Sequence, residues 1–282
     1  MSEKKRTILS LEVFPPKKDD EFENAFATMD KLRDVNPAFI SVTYGAGGSR
    51  SKKTVEIADY IQNRLGITAL AHLTCVGNKK KDIDEVCASL QQAGIRNILA
   101  LRGDRPKDMS DVQYESRDFV YASELITYLK KEYGFTLYGA CYPEKHFEAM
   151  STRADLMHLK EKVEKGASEL ITQLFMDNDV FYSFADRCLA AGITVPIHAG
   201  IMPITSAKQV ATTISLSGTS IPKAFSDLVA RYGENPDDMR KAGIDYAVRQ
   251  MQDLIDGGAD GIHIYSMNKP KMTAEIVSAL SF

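Results

Sequence analysis

Eight short runs rich in β-branched and apolar residues alternate with longer amphipathic runs along almost the whole chain. The strand-like runs are Thr7–Val13, Phe39–Thr43, Thr68–Thr74, Asn97–Arg102, Thr136–Cys141, Glu169–Gln173, Val195–Ala199 and Gly261–Tyr265. Helical patterns fall near 20–34, 52–65, 82–93, 118–133, 152–165, 178–190, 206–215, 237–256 and 271–279, with extra helix at 221–231 in the longest interval. Gly66, Gly94, Gly134, Gly166 and Gly192 each follow a helical run and precede a strand, where the chain needs a left-handed residue to leave the helix. No two strand runs are joined as a hairpin, so the sheet is parallel. Eight strand–helix units favour closure into a barrel.

An open doubly wound sheet would carry Gly-x-Gly-x-x-Gly after its first strand, and none is present. A Walker-type phosphate loop is also absent. The expected fold class is therefore α/β, a single (βα)8 TIM-type barrel over residues 1–282. That length suits one barrel, since such folds commonly take about 250 residues. The last predicted helix runs almost to Phe282, so no regulatory domain is expected beyond it.

Composition narrows the partners. A net charge of −3 and a pI near 6.0 argue against nucleic acid or an anionic membrane surface. The one basic run, Lys79-Lys80-Lys81, leads straight into Asp82, Asp84 and Glu85 and reads as a solvated helix start. No apolar run is long enough to span a bilayer, and the charged amino terminus leads into a strand, so a cytoplasmic location is expected. Cys75, Cys87, Cys141 and Cys188 lie far apart with no Cys-x-x-Cys pair, which points to buried thiols and no metal.

In a barrel of this kind chemistry sits where strands end and βα loops converge. The strand ends here deliver Glu12, then Thr43 and Tyr44 before the loop Gly45-Ala46-Gly47-Gly48-Ser49, then His72 and Thr74, then Arg102-Gly103-Asp104. Tyr142, Glu144 and His146 follow, then Gln173, Gly200, Tyr265 and Asn268. Each has a plainer reading. Glu12 could pair with a barrel arginine, the glycine loop could be a tight turn, Arg102 and Asp104 could form a rim salt bridge, and His72 could be a satisfied core histidine. Together at one end of successive strands they are costly to bury without a ligand. The set holds no Ser-His-Asp arrangement, metal cluster or Schiff-base lysine. It suits a site that holds a planar cofactor and supplies one proton.

At these residues the chain resembles the methylenetetrahydrofolate reductase family. The likeness runs through Glu12-Val13-Phe14-Pro15-Pro16, Ser41-Val42-Thr43-Tyr44-Gly45-Ala46-Gly47-Gly48, Ala71-His72-Leu73-Thr74-Cys75 and Leu99-Ala100-Leu101-Arg102-Gly103-Asp104. It continues through Ala140-Cys141-Tyr142-Pro143-Glu144-Lys145-His146, Ile171-Thr172-Gln173, Gly200-Ile201-Met202-Pro203 and Gly261-Ile262-His263-Ile264-Tyr265. The resemblance implies non-covalent FAD, reduced by NADH or NADPH, and ping-pong hydride transfer to 5,10-methylenetetrahydrofolate in a homo-oligomer. It also implies that Thr43, His72, Leu101, Arg102, Gly103, Asp104, Tyr121, Ala122, Tyr142, His146, Asp155 and Lys162 hold FAD, with the arginine and the lysine on its pyrophosphate. Glu12 matches the family's acid, Asp104 a carboxylate beside the flavin, and Gln173, Gln209, Tyr265 and Lys269 the substrate contacts. Two positions depart from the pattern. Thr213 replaces a phenylalanine found in some members, and Lys269 replaces an arginine, which leaves the hold on the folate tail open. A pterin-binding barrel without flavin and a non-enzymatic partner-binding barrel are the competing readings.

Overall fold

The computed structural model describes residues 6–44, 49–106 and 109–282. Its strands are β1 (Ile8–Val13), β2 (Phe39–Val42), β3 (Thr68–Thr74), β4 (Asn97–Leu101), β5 (Thr136–Cys141), β6 (Ala167–Thr172), β7 (Ile197–Ile201) and β8 (Gly261–Tyr265). They pair in parallel, in chain order, and β8 closes on β1 to complete a barrel. The helices are α1 (Phe22–Arg33), α2 (Ser49–Asp59), α3 (Lys80–Gln92), α4 (Asp111–Glu115), α5 (Ala122–Glu132) and α6 (Thr152–Lys165). After them come α7 (Asn178–Ala190), α8 (Ala207–Ser217), α9 (Lys223–Tyr232), α10 (Pro236–Asp256) and α11 (Pro270–Ser278). The expected (βα)8 barrel is the observed one.

Side chains alternate across each strand, and that alternation separates two interiors. Leu9, Leu11 and Val13 of β1 point outward into the large core shared with Met29 and Leu32 of α1. Ile8, Ser10 and Glu12 have the opposite parity and face the barrel axis, where Phe39, Leu70, Leu99, Tyr138 and Ile171 form a smaller apolar plug. The plug supports the layer above it, at the carboxyl ends of the strands.

Local chemistry sets the element ends. All five glycines expected to terminate helices have positive φ, from +67° at Gly134 to +132° at Gly166. Ser151 accepts from the Ala154 N–H to start α6, and Asn235 accepts from Asp237 and Asp238 to start α10, with Pro236 next. Two strands differ from expectation by more than one residue at an end. β7 begins at Ile197, not Val195, because Pro196 has no N–H for the ladder; its carbonyl accepts from Leu170 instead. β6 starts earlier, at Ala167, and a register irregularity against β5 sets Glu169 opposite Tyr138. The short helix α4 has no counterpart in the sequence reading.

Candidate active site

Parity and register bring Glu12 to the axis of the barrel mouth. Its Oε2 lies 3.5 Å from His72 Nε2 on β3 and 3.7 Å from His263 Nε2 on β8. Ser41 Oγ on β2 is 3.4 Å from the same His263 nitrogen, and Ser10 Oγ is 2.8 Å from His263 Nδ1. The Ser10 hydroxyl also lies 3.4 Å from the Ile262 carbonyl, an acceptor for its proton. Burial sets the protonation of this cluster. It raises the Glu12 carboxyl above its ordinary value, against the charge of His72 and a Ser41 hydrogen bond. It lowers His72 to about 4, opposed by Glu12 and reinforced by His263, and lowers His263 to about 3. Both imidazoles are therefore neutral near pH 7. Glu12 keeps 19% of its side chain exposed, a window onto the mouth. Among the described residues its neighbours are histidines and serines, so the barrel-arginine reading does not hold. Nor is His72 a satisfied core histidine, because its buried Nε2 has no hydrogen-bond partner.

The loop after β8 clamps this acid in place. The Ser266 hydroxyl and N–H both donate to the Glu12 carbonyl, the hydroxyl at 2.6 Å. The Asn268 amide brackets Phe14, accepting from its N–H at 3.1 Å and donating to its carbonyl at 2.9 Å. Reaching that position costs two left-handed residues, Met267 at φ 52° and Asn268 at φ 53°. Across the mouth the Tyr265 hydroxyl donates to the Thr172 carbonyl at 2.7 Å, passing over Gly200. A Cβ at Gly200 would lie 2.3 Å from that carbonyl and 2.9 Å from the Tyr265 ring, so only glycine leaves the crossing open.

A second group forms a rim on the β4 and β5 loops. The Arg102 guanidinium grips both carboxylate oxygens of Glu148, so the plainer reading of an Arg102–Asp104 rim pair is not what forms. Asp104 is exposed on the same loop. Gly103 between them has φ +82°, and a Cβ there would meet Thr74 Cβ at 2.9 Å. Leu101 supports the loop from the interior plug. Tyr142 ties the groups together. Its ring meets the His146 ring edge-on at 4.7 Å, and burial pushes its hydroxyl up to about 12, with Arg102 opposing and Asp104 and Asp155 reinforcing. His146 Nδ1 accepts from the Glu148 N–H, and Asp155 accepts from the His146 N–H, both at 3.1 Å. Lys162 is half-buried in a small pocket lined by Cys141, Tyr142, Asp155 and Arg187, where it donates to the Ala140 carbonyl. Burial lowers its ammonium, against Cys141 and Asp155.

The remaining expected residues are distributed over the βα loops and their flanking helices. Tyr121 is exposed and precedes α5, of which Ala122 is the first residue. Thr43 lies just beyond β2 and is half-buried. The Gln173 N–H donates to the Cys141 carbonyl at 2.7 Å, and its side-chain oxygen accepts from Leu174. Gln209 Oε1 accepts from Thr205 and Ser206, tying down the start of α8. Thr213 is 2% exposed and so cannot present a stacking face, whereas the adjacent Ile214 is 41% exposed. Lys269 is exposed at the start of α11. Glu144 is a structural tie to Thr219 and Ser220. The glycine segment 45–48 lies outside the described residues. Ser10, Ser41 and His263 were missed as site residues, although a signal existed. Ser10 lies two residues before Glu12, Ser41 two before Thr43 and His263 two before Tyr265, and the period of two puts each on the inward face.

Comparison with known proteins follows the same lines. The sequence profile of methylenetetrahydrofolate reductase matches residues 1–281. The chain belongs to this family. It is 33% identical over 275 residues to the 5,10-methylenetetrahydrofolate reductase of Pectobacterium carotovorum subsp. carotovorum, covering 98% of this chain and 90% of that one. The Escherichia coli (strain K12) enzyme of the same name is 34% identical over 272 residues, covering 96% and 90%. Against methylenetetrahydrofolate reductase (NADH) 1 of Arabidopsis thaliana it is 34% identical over 291 residues, but spans 49% of that relative. As a member of the methylenetetrahydrofolate reductase family the chain is an oxidoreductase. Among solved structures, a Clostridium thermocellum protein bound to two copies of 5-methyl-5,6,7,8-tetrahydrofolic acid superposes with TM-score 0.68 at 13% identity, covering 98% and 95% of the two chains. Dihydropteroate synthase from Xanthomonas albilineans gives TM-score 0.53 at 13% identity over 97% and 91%. These two likenesses concern the fold. No helix among the described residues is long and apolar enough to cross a membrane.

Proposed function

We propose that this barrel reduces 5,10-methylenetetrahydrofolate to 5-methyltetrahydrofolate with FAD as its cofactor and NADH or NADPH as the electron source, the nicotinamide and the folate using the site in turn. The observation that carries the reading is Glu12, a buried carboxyl raised by its surroundings and set among neutral imidazoles at the barrel mouth. The amine nitrogen expelled when the folate ring opens is a poor leaving group until protonated. A carboxyl whose proton is held more tightly through desolvation supplies it.

The rim fits the cofactor. The Arg102 fork suits a pyrophosphate. Gly103 lets backbone approach closely, and Tyr142, His146, Asp155 and Lys162 offer an aromatic wall with buried donors and an acceptor. Thr43, His72, Leu101, Tyr121 and Ala122 complete the assignment to FAD. When bound, FAD accepts hydride from the nicotinamide and passes it to the folate carbon. Gln173 serves whichever substrate stacks in the mouth, and Tyr265, Gln209 and Lys269 are the further substrate contacts that the family resemblance implies.

A yellow protein, bleached by a reduced nicotinamide and recoloured by methylenetetrahydrofolate, is the expected result. A colourless protein that cannot be reconstituted with FAD rejects the reading, and folate binding without flavin absorbance favours the pterin-binding alternative. Glu12→Gln should keep the bleaching step and slow recolouring by about 10²-fold or more; equal loss of both steps would make Glu12 structural. Asp104 places a carboxylate on the rim, where it disfavours negative charge on the flavin. Asp104→Asn should therefore raise the flavin potential measured by dye equilibration, and an unchanged potential removes that role.

A further inference from the structure

The segment between β4 and α5 carries a second guanidinium that no described side chain satisfies. Arg117 lies over the Tyr114 ring at 3.4 Å, and Arg105 reaches the same ring at 4.9 Å. The Nε and Nη1 atoms of Arg117 are shut off from solvent and have no hydrogen-bond partner. Leaving charged donors dry and unpaired is expensive, and such groups are normally matched. Nearby acids are engaged elsewhere. Asp111 takes Arg105, Asp118 accepts from the Lys80 N–H, Glu124 accepts from the Val120 N–H, and Glu148 is gripped by Arg102. Arg117 nonetheless lies beside the rim. It joins Arg102, whose hydrogen bonds dominate, and His146 in holding the Glu148 carboxyl below its ordinary value. Glu148 is paired with Arg102, and the Nε and Nη1 donors of Arg117 stay buried without an acceptor.

We propose that Arg117, braced on Tyr114, is a further anion-binding residue of this rim, beside Arg102 and Lys162, and that its ligand is the pyrophosphate of the FAD assigned above. The inference rests on that assignment and extends it to a residue outside the motifs that carry the family resemblance. A flat guanidinium stacked on a ring loses little freedom on engaging phosphate oxygens, and its fork can take two of them. Arg102 is already paired with Glu148, so beside Lys162 a doubly charged pyrophosphate has room for a further cation.

The test is equilibrium binding to flavin-stripped protein, followed by quenching of flavin fluorescence, with FAD and with riboflavin, which carries no phosphate. Arg117→Ala should weaken FAD about 10-fold to 100-fold and leave riboflavin unchanged. Arg117→Lys should recover part of the loss, Tyr114→Phe should match wild type, and the salt dependence of FAD binding should become shallower in Arg117→Ala. Urea melts of each variant establish that it is folded. Wild-type affinity for FAD in Arg117→Ala overturns the inference alone, as does an equal loss of FAD and riboflavin. A wild-type protein that binds no FAD overturns both the inference and the cofactor assignment beneath it.

Discussion

Glu12 and the two imidazoles beside it respond to pH in opposite senses. The folded pKa of His72 is lowered from 6.5 to about 4, so between those values the unfolded chain takes up a proton that the folded one refuses. Its contribution is present above pH 6.5 and is lost as the pH falls toward 4, amounting to about 2 kcal/mol at pH 5. His263 acts in the same direction. Glu12, raised from 4.5, works against them, because above 4.5 the folded state holds the extra proton and stability falls as pH rises through that window. Urea denaturation at pH 7.5 and pH 5 should show wild type losing more stability on acidification than His72→Asn; equal losses would place the imidazole in a wetter setting. The acid itself was legible in the sequence as a carboxylate at a strand end. Its partners were less so, because a hydrogen bond between Ser10 and His263 joins residues at opposite ends of the chain. Arg102 illustrates the converse: sequence proximity offered Asp104, two residues on, as a plain salt-bridge partner, but Gly103 between them turns the chain and Glu148 arrives from another loop.

Among the elements, helices ended where glycine and capping side chains said they should, whereas β7 slid two residues because its proline cannot join a ladder. Helix α4 escaped notice for a physical reason as well: five residues are too few to show a period, and a Ser110–Gln113 capping box stabilises it. The most consequential element is the turn from β8 to α11. Its Asn268 both adopts a left-handed backbone and clips β1, and the two roles are separable. Asn268→Gly keeps the backbone conformation while removing both amide contacts. Asn268→Ala removes the contacts and adds strain at φ 53°, so it should be less stable than the glycine variant by about 1 kcal/mol. Chemical denaturation of the two decides this, and equal stabilities would show that the loop relaxes. Both variants should slow recolouring of the flavin more than its bleaching, since the clip holds the strand that carries Glu12.

At the scale of the whole molecule, closing the sheet buries all four thiols. Burial pushes Cys75 and Cys188 up to about 11 and Cys87 up to about 12, and raises Cys141 as well. An aromatic disulfide reagent at pH 8 should find no fast thiol in the native protein and four in urea; a thiol that reacts at once would contradict the buried assignment. The sequence by itself determined the number and order of strand–helix units, the glycines that end the helices and the set of polar residues at the strand ends. Those follow from periodicity and backbone sterics, which act over a few residues. Tertiary structure alone decided which of those residues share an environment. Barrel closure sets strand register and brings β1 against β8, placing Glu12 between histidines from β3 and β8 and under the clamp of Ser266. It also joined Arg102 to Glu148 and left Arg117 dry beside them. Desolvation and pairing depend on neighbours distant in sequence, so the chemistry of the mouth exists only once the sheet has closed.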